Sequence, residues 1–192
     1  QAITKNYAFT VLSVGRMSPS KNFEALIYYL VGAESLGNKN FFKETNLRFE
    51  IIAPIIDSAG AAYKEKLLDQ ANKYGLALCL EIVPGVPFYK LPEYYNKADL
   101  LIHTSETGSI DKVVLEAMAC GTPVLTSSEA FYFLPEKNKF NKNNLEVSIE
   151  LMHKIRYFMN HRGEKYLDLR VLVEKDFSLK NLFKKVKLKM NN

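Results

Sequence analysis

The alternation of short apolar runs with longer amphipathic segments constrains this chain more than any other feature. Five runs of strand length recur: "YAFTVLSV" (7–14), "LRFEIIAPI" (47–55), "LALCLEIV" (76–83), "DLLIHTS" (99–105) and "PVLTS" (123–127). Between them stand segments of helical period: "KNFEALIYYLVGAESL" (21–36) with Gly37 as its stop, "AAYKEKLLDQANKYG" (61–75), "LPEYYNKA" (91–98) and "KVVLEAMAC" (112–120). The last third, 144–177, reads as helical, and the polar stretch "PEKNKFNKNN" (135–144) as a loosely ordered connection. A strand–helix–strand order of this kind builds a parallel sheet with helices on both faces. The fold class predicted is therefore α/β, a Rossmann-like parallel sheet flanked by helices. One domain over 1–192 is expected, with C-terminal helices within 143–190. At 192 residues and 47% hydrophobic content the chain can bury a sizeable core.

Several function classes fall away. No segment approaches the roughly 20 apolar residues of a membrane-spanning helix, and the N-terminus has no charged region followed by an apolar signal core. The chain starts at Gln1 and enters a strand almost at once, as an excised piece of a longer polypeptide would. Cys79 and Cys120 sit in apolar surroundings without metal-ligand spacing, which fits reduced core residues of a cytoplasmic protein. The net charge is +5, yet basic residues are scattered until the C-terminal tail and no nucleic-acid motif accompanies them, so an anionic small substrate fits better. Neither GxGxxG after the first strand nor GxxxxGK[ST] is present, which argues against a nicotinamide dehydrogenase and a P-loop ATPase.

Open parallel sheets bind ligands outside the carboxyl ends of their strands. Two stretches fall there. In "VGRMSPSK" (14–21), Gly15 permits a tight turn, Ser18 can cap the next helix and Pro19 suits its first position. Arg16 and Lys21 beside a positive helix end would make an anion site, since a guanidinium grips two oxygens and an ammonium acts as a point charge. Two ordinary solvated cations are the competing reading. In "SETGSIDKVVLEAMACGTPV" (105–124), Glu116 is the one acid of an otherwise apolar helix, so it should face a polar cleft or a partner rather than the core. It could accept hydrogen bonds from vicinal hydroxyls, or pair with a lysine or arginine. Gly108, Ser109, Ile110 and Asp111 can form a backbone cradle, with Asp111 or Ser109 as helix cap and Lys112 adding charge.

Together these stretches resemble the C-terminal, donor-binding domain of retaining glycosyltransferases of the GT-B fold, over roughly residues 8–182. "SVGRMSPSKN" is similar to the family's Val-Gly-Arg loop and downstream Lys. "VPGVPFYKLPEYYNKADLLIHTS" is similar to its Gly-x-Val turn, Leu-Pro-x-x-Tyr helix and Ala-Asp strand, and "VVLEAMACGTPVLTS" to its Leu-Glu-Ala-Met-Ala-x-Gly-x-Pro-Val signature. The resemblance implies a nucleotide-diphospho-sugar as donor substrate, with no cofactor and no metal. Arg16 and Lys21 would bind the diphosphate and stabilise the charge growing on it. Glu116 would hold the ribose hydroxyls, backbone around Gly85 and Val86 would meet the base, and Ser109, Ile110 and Asp111 would lie beside the transferred sugar or its phosphates.

Two departures stand out. The family usually carries a first glutamate at the position of Gly108; Glu106 or Asp111 is the nearby substitute, or the sugar differs. "IIAPI" stands where the family has a Val-Gly-x-Gly turn. The partner implied is an N-terminal acceptor-binding domain of the same polypeptide, so the fragment is expected to bind nucleotides weakly and to transfer nothing alone. A non-catalytic nucleotide-binding or interaction module is the alternative. His103 is read either as touching the donor or as a packed, hydrogen-bonded residue, and His153 and His161 as surface groups. Of Tyr89, Tyr94 and Tyr95, at least one is expected in the core. In the tail, Leu179, Leu182, Phe183 and Val186 share a face opposite lysines, a pattern that packs across the interdomain cleft or, second, contacts the inner face of the cell membrane.

Overall fold

The computed structural model describes residues 9–36, 46–142, 146–163, 166–178 and 181. Five strands, β1 (Phe9–Val14), β2 (Leu47–Ile52), β3 (Leu80–Val83), β4 (Leu100–His103) and β5 (Val124–Thr126), form one sheet in the order β3-β2-β1-β4-β5. Every pairing is parallel; Val11, in the central strand, lies opposite Phe49 on one side and Leu100 on the other. β4 and β5 are buried along their whole length, as the near-continuous apolar runs of a doubly covered sheet require.

The helices are α1 (Phe23–Leu36), α2 (Ser58–Lys73), α3 (Leu91–Lys97), α4 (Lys112–Ala119), α5 (Val147–Asn160) and α6 (Leu167–Asp176). α1 packs on α2 and α5, while α4 packs on α3 and α6. Right-handed crossovers place these two groups on opposite faces of the sheet. α2 shows why the pattern was readable: Tyr63, Leu67 and Ala71 are buried on one stripe, and Gly75 takes the left-handed conformation just beyond its end, at φ 72°. It starts before position 61, because the Asp57 carboxylate accepts the Gly60 N–H at 2.7 Å and caps the first turn. β3, in turn, is shorter than its apolar run, since 76–79 close a turn in which Cys79 N–H donates to Leu76 O at 3.0 Å.

One expectation needs correction. The connection 135–142 is not loosely ordered: Asn138 is fully buried, donates through Nδ2 to Val124 O at 2.7 Å, and Phe140 N–H donates to Thr126 O at 3.0 Å. The buried Asn138 amide and the Phe140 N–H together extend the hydrogen bonding of edge strand β5 into a segment whose composition is polar. Gly37 and the amphipathic tail's Leu179, Leu182, Phe183 and Val186 lie outside the described residues. Among the described residues no helix is long and apolar enough to cross a membrane.

The topology fixes where a ligand can enter. β1 crosses to β2 on one side and β4 to β5 on the other, so the loops after β1 and β4 diverge and leave a crevice at the carboxyl edge.

Candidate functional site

The loop after β1 is held at both ends. Gly15 N–H donates to Ile52 O at 3.1 Å and Met17 N–H to Pro54 O at 3.0 Å, with Met17 buried as the anchor. Ser18 then caps a 3-10 turn over Pro19–Lys21, accepting the Ser20 N–H at 3.3 Å, and Asn22 takes a left-handed conformation (φ 51°) before α1 begins. Gly15 is needed for a close approach: a β-carbon there would stand 3.1 and 3.2 Å from Cγ and Cδ of Lys21. Its absence lets the lysine stem fold back across the turn.

The loop after β4 is stitched to this one. Thr104 Oγ1 lies 3.1 Å from Lys21 O and 3.0 Å from Asn22 O, and Ser20 O accepts from Glu106 N–H at 3.2 Å. Glu106 Oε1 accepts from Asn22 Nδ2 at 3.1 Å and from Lys142 Nζ at 3.3 Å. Its carboxylate is thus engaged at the rim.

At the centre, Lys21 Nζ is 2.7 Å from Asp111 Oδ2, and His103 Nε2 is 2.8 Å from the same oxygen. His103 is buried; burial pushes its pKa down against the pull of Asp111, so the ring is neutral near pH 7. Burial alone would raise the Asp111 pKa, but hydrogen bonds from Lys21, His103 and Ser105 outweigh it and leave the carboxyl below its usual range. An ionised Asp111 accepts Nε2–H, which makes Nδ1 the acceptor of the Thr126 hydroxyl 2.9 Å away, while Thr126 Oγ1 accepts the Ser128 N–H at 3.1 Å. Asp111 occupies the N-cap position of α4 without capping it, because its carboxylate is turned to Lys21 and His103. Neither proposed cap, Asp111 or Ser109, makes that bond; Ser109 Oγ pairs instead with Thr107 Oγ1 at 3.1 Å.

α4 buries Val114, Ala117 and Met118 and exposes Glu116 on the opposite side. Glu116 Oε2 accepts the hydroxyl of buried Tyr95 at 2.8 Å. Burial, then the Glu116 charge, raises the Tyr95 pKa, so it remains a donor. Its partner is therefore a tyrosine, not the lysine or arginine considered from sequence. Together with Phe88, Tyr89, Leu91, Pro92, Tyr95, Ala119 and Cys120, Glu116 lines a cavity of about 310 Å³ that is largely apolar. Gly85, after β3, rests on Pro54, and a β-carbon there would lie 2.9 Å from Pro54 Cα. Val86 packs partly against the core.

The structure thus joins Lys21, Asp111 and the start of the Glu116 helix, with Gly15 beneath the lysine. Arg16, Ser109, Ile110 and Lys112 are exposed around them, and among the described residues the Arg16 guanidinium has no hydrogen-bond or ion-pair partner. Gly108 has φ 68° with open space where a side chain would be. Sequence reasoning missed Tyr95 as the Glu116 partner and the His103–Asp111–Lys21 chain. The (i, i+8) spacing of His103 and Asp111 across a loop gives no periodic signal.

The sequence profile described as "Glycosyl transferases group 1" matches residues 3–169. A D-inositol 3-phosphate glycosyltransferase of Streptosporangium roseum is 29% identical over 124 residues, covering 63% of this chain and 27% of the relative. The chain therefore spans about a quarter of the length of the curated relatives it matches. Among solved structures, Anabaena HepE in complex with UDP and glucose superposes with TM-score 0.75 at 16% identity, covering 95% of this chain and 48% of that one. Sucrose-phosphate synthase from Thermosynechococcus elongatus gives 0.76 at 20% identity, covering 95% and 45%. These likenesses establish a common fold.

Proposed function

The chain belongs to the group 1 glycosyl transferases, its fold is that of one half of a GT-B enzyme, and from that premise we propose that it binds a nucleotide-diphospho-sugar for retaining, metal-independent transfer. The observation that carries the reading is the 2.7 Å contact between Lys21 and Asp111, which brings the loop after β1 and the first turn of the Glu116 helix to one crevice at the switch point.

Each group has a role that its placement supports. As the bond from the anomeric carbon to the diphosphate oxygen breaks, negative charge grows on the departing diphosphate. The exposed Arg16 guanidinium can grip two of its oxygens, and Lys21 still has two N–H groups to offer after serving Asp111. Protein cations then do what a divalent ion would otherwise do. Glu116 has Oε2 fixed by Tyr95, and Oε1, without a partner among the described residues, can accept from ribose hydroxyls. The backbone of Gly85 and Val86 would meet the base. HepE, of the same fold, holds UDP and glucose, which makes UDP conjugates the first donors to try.

The acceptor would be held by an N-terminal domain of the same polypeptide, since the two solved structures that share this fold are about twice as long. The full polypeptide is expected to turn over a nucleotide sugar, whereas the 192-residue chain should bind it and transfer nothing. Transfer by the 192-residue chain alone would remove the need for a second domain. A non-catalytic binding module has one observation in its favour: Gly108 supplies no carboxylate, and both Glu106 and Asp111 already have partners. Full-length protein that binds a nucleotide sugar without turnover would select that reading.

A further inference from the structure

Among the described residues Asp111 is the one acid paired with the cation that is to meet phosphate, and its charge has a consequence for which nucleotide stays bound. Lys21 Nζ sits 2.7 Å from Asp111 Oδ2, so any phosphate oxygen hydrogen-bonded to that ammonium lies within about 5.6 Å of the carboxylate. The carboxylate cannot easily turn away. His103 donates Nε2–H to the same oxygen from β4, and His103 is itself locked by Thr126. Nor is it needed at the helix end, where it makes no cap bond.

We propose that Asp111 is a specificity-determining residue that discriminates against the free diphosphate product in favour of the sugar-esterified donor. The inference rests on the reading of Lys21 as a diphosphate ligand. The two ligands differ in charge at the position that matters. A sugar-esterified terminal phosphate carries one negative charge, whereas the terminal phosphate of a free nucleoside diphosphate ionises a second time near pH 6. The extra charge falls on the group next to Lys21, where the fixed carboxylate repels it at a distance too short for salt to screen fully. Lys21 without Asp111 would hold product more tightly than donor; with Asp111 the Lys21 charge is offset, Arg16 is left as the cation on the diphosphate, and the product is held less tightly.

The test uses Asp111→Asn and Asp111→Ser in the 192-residue chain. Both side chains are favoured at N-cap positions, so the start of α4 is preserved. UDP and UDP-glucose are titrated calorimetrically at pH 7.5 into both variants and the wild type. Loss of the charge should tighten UDP by about tenfold and UDP-glucose by less than about threefold, at an effective dielectric of ~20 discounted for solvent exposure. Unchanged or weakened UDP binding in variants that melt cooperatively would overturn the role of Asp111 while leaving the nucleotide site standing. Equal tightening of both ligands would reduce it to a general charge effect and overturn the discrimination. Absence of any binding, wild type included, would instead overturn the nucleotide site, and this inference with it.

Discussion

Tyr95→Phe isolates one link of the site with little change in volume. The ring of Tyr95 is buried and packs in the core, so phenylalanine keeps its contacts and removes only the hydroxyl that donates to Glu116 Oε2 at 2.8 Å. A hydrogen bond to a charged group contributes about 1.5–3 kcal/mol when both partners are desolvated. Glu116 is exposed and can turn to water, so the loss in folding stability should be nearer ~1 kcal/mol, or roughly 2–4 °C in melting temperature for a chain of this size. The effect on binding is separate. Untethered, the Glu116 side chain must be ordered by the ligand itself, a fraction of the ~1.5–2 kcal/mol that fixing a glutamate costs, which predicts UDP binding weakened by roughly threefold to tenfold. Pyrophosphate has no ribose and should bind wild type and variant alike. Calorimetry with both ligands reads the difference. Equal weakening of UDP and pyrophosphate would mean that the hydroxyl supports the fold rather than orienting Glu116, and the reasoning would fail.

Gly85→Ala should cost roughly 1–3 kcal/mol in urea denaturation, because the new methyl would collide with Pro54 Cβ and approach its Cα within 2.9 Å, and Pro54 also anchors Met17. Acid stability should depend on His103. Its folded pKa lies below the ordinary 6.5, so the unfolded chain takes up the proton first and stability falls as pH drops below about 6.5. Chemical melts at pH 7.5 and 5 should show that fall in wild type and a smaller one in His103→Gln. At the alkaline end, burial raises the Tyr63 pKa to about 12 and that of Tyr95 as well, so both favour folding below pH 10 and lose that contribution above it. Melts between pH 9 and 11 should decline accordingly, and less steeply in Tyr95→Phe.

Much of this was legible in the sequence because parallel sheets impose strong patterns. Strands buried on both faces must be continuous apolar runs, and the apolar spacing of Tyr63, Leu67, Leu68 and Ala71 marks a helix face, of which Tyr63, Leu67 and Ala71 are buried and Leu68 is half-buried. The candidate site's expected position follows from topology, and Gly15, Ser18 and Pro19 read as a turn because each residue type has a steric or capping reason to be there. What the sequence hid were partners set by tertiary approach. The Tyr95–Glu116 bond joins α3 to α4, and the Lys21–Asp111–His103 chain joins the turn after β1, the start of α4 and the end of β4 across up to 90 positions. No local periodicity encodes such contacts. Asn138 misled for the opposite reason: a polar residue in a polar run gives no sign that one amide is buried to complete a strand edge.

The central claim is that Arg16, Lys21 and Glu116 serve one nucleoside-diphosphate pocket at the switch point. Calorimetric titration of the 192-residue chain with UDP, GDP and ADP and their sugar conjugates tests it most directly, alongside Arg16→Ala and Lys21→Ala. Charge-assisted hydrogen bonds of about 1.5–3 kcal/mol predict that each variant loses roughly ten- to a hundredfold in affinity for the preferred nucleotide. Undiminished binding in both variants would contradict the account and place the nucleotide, if it binds at all, elsewhere on the fold.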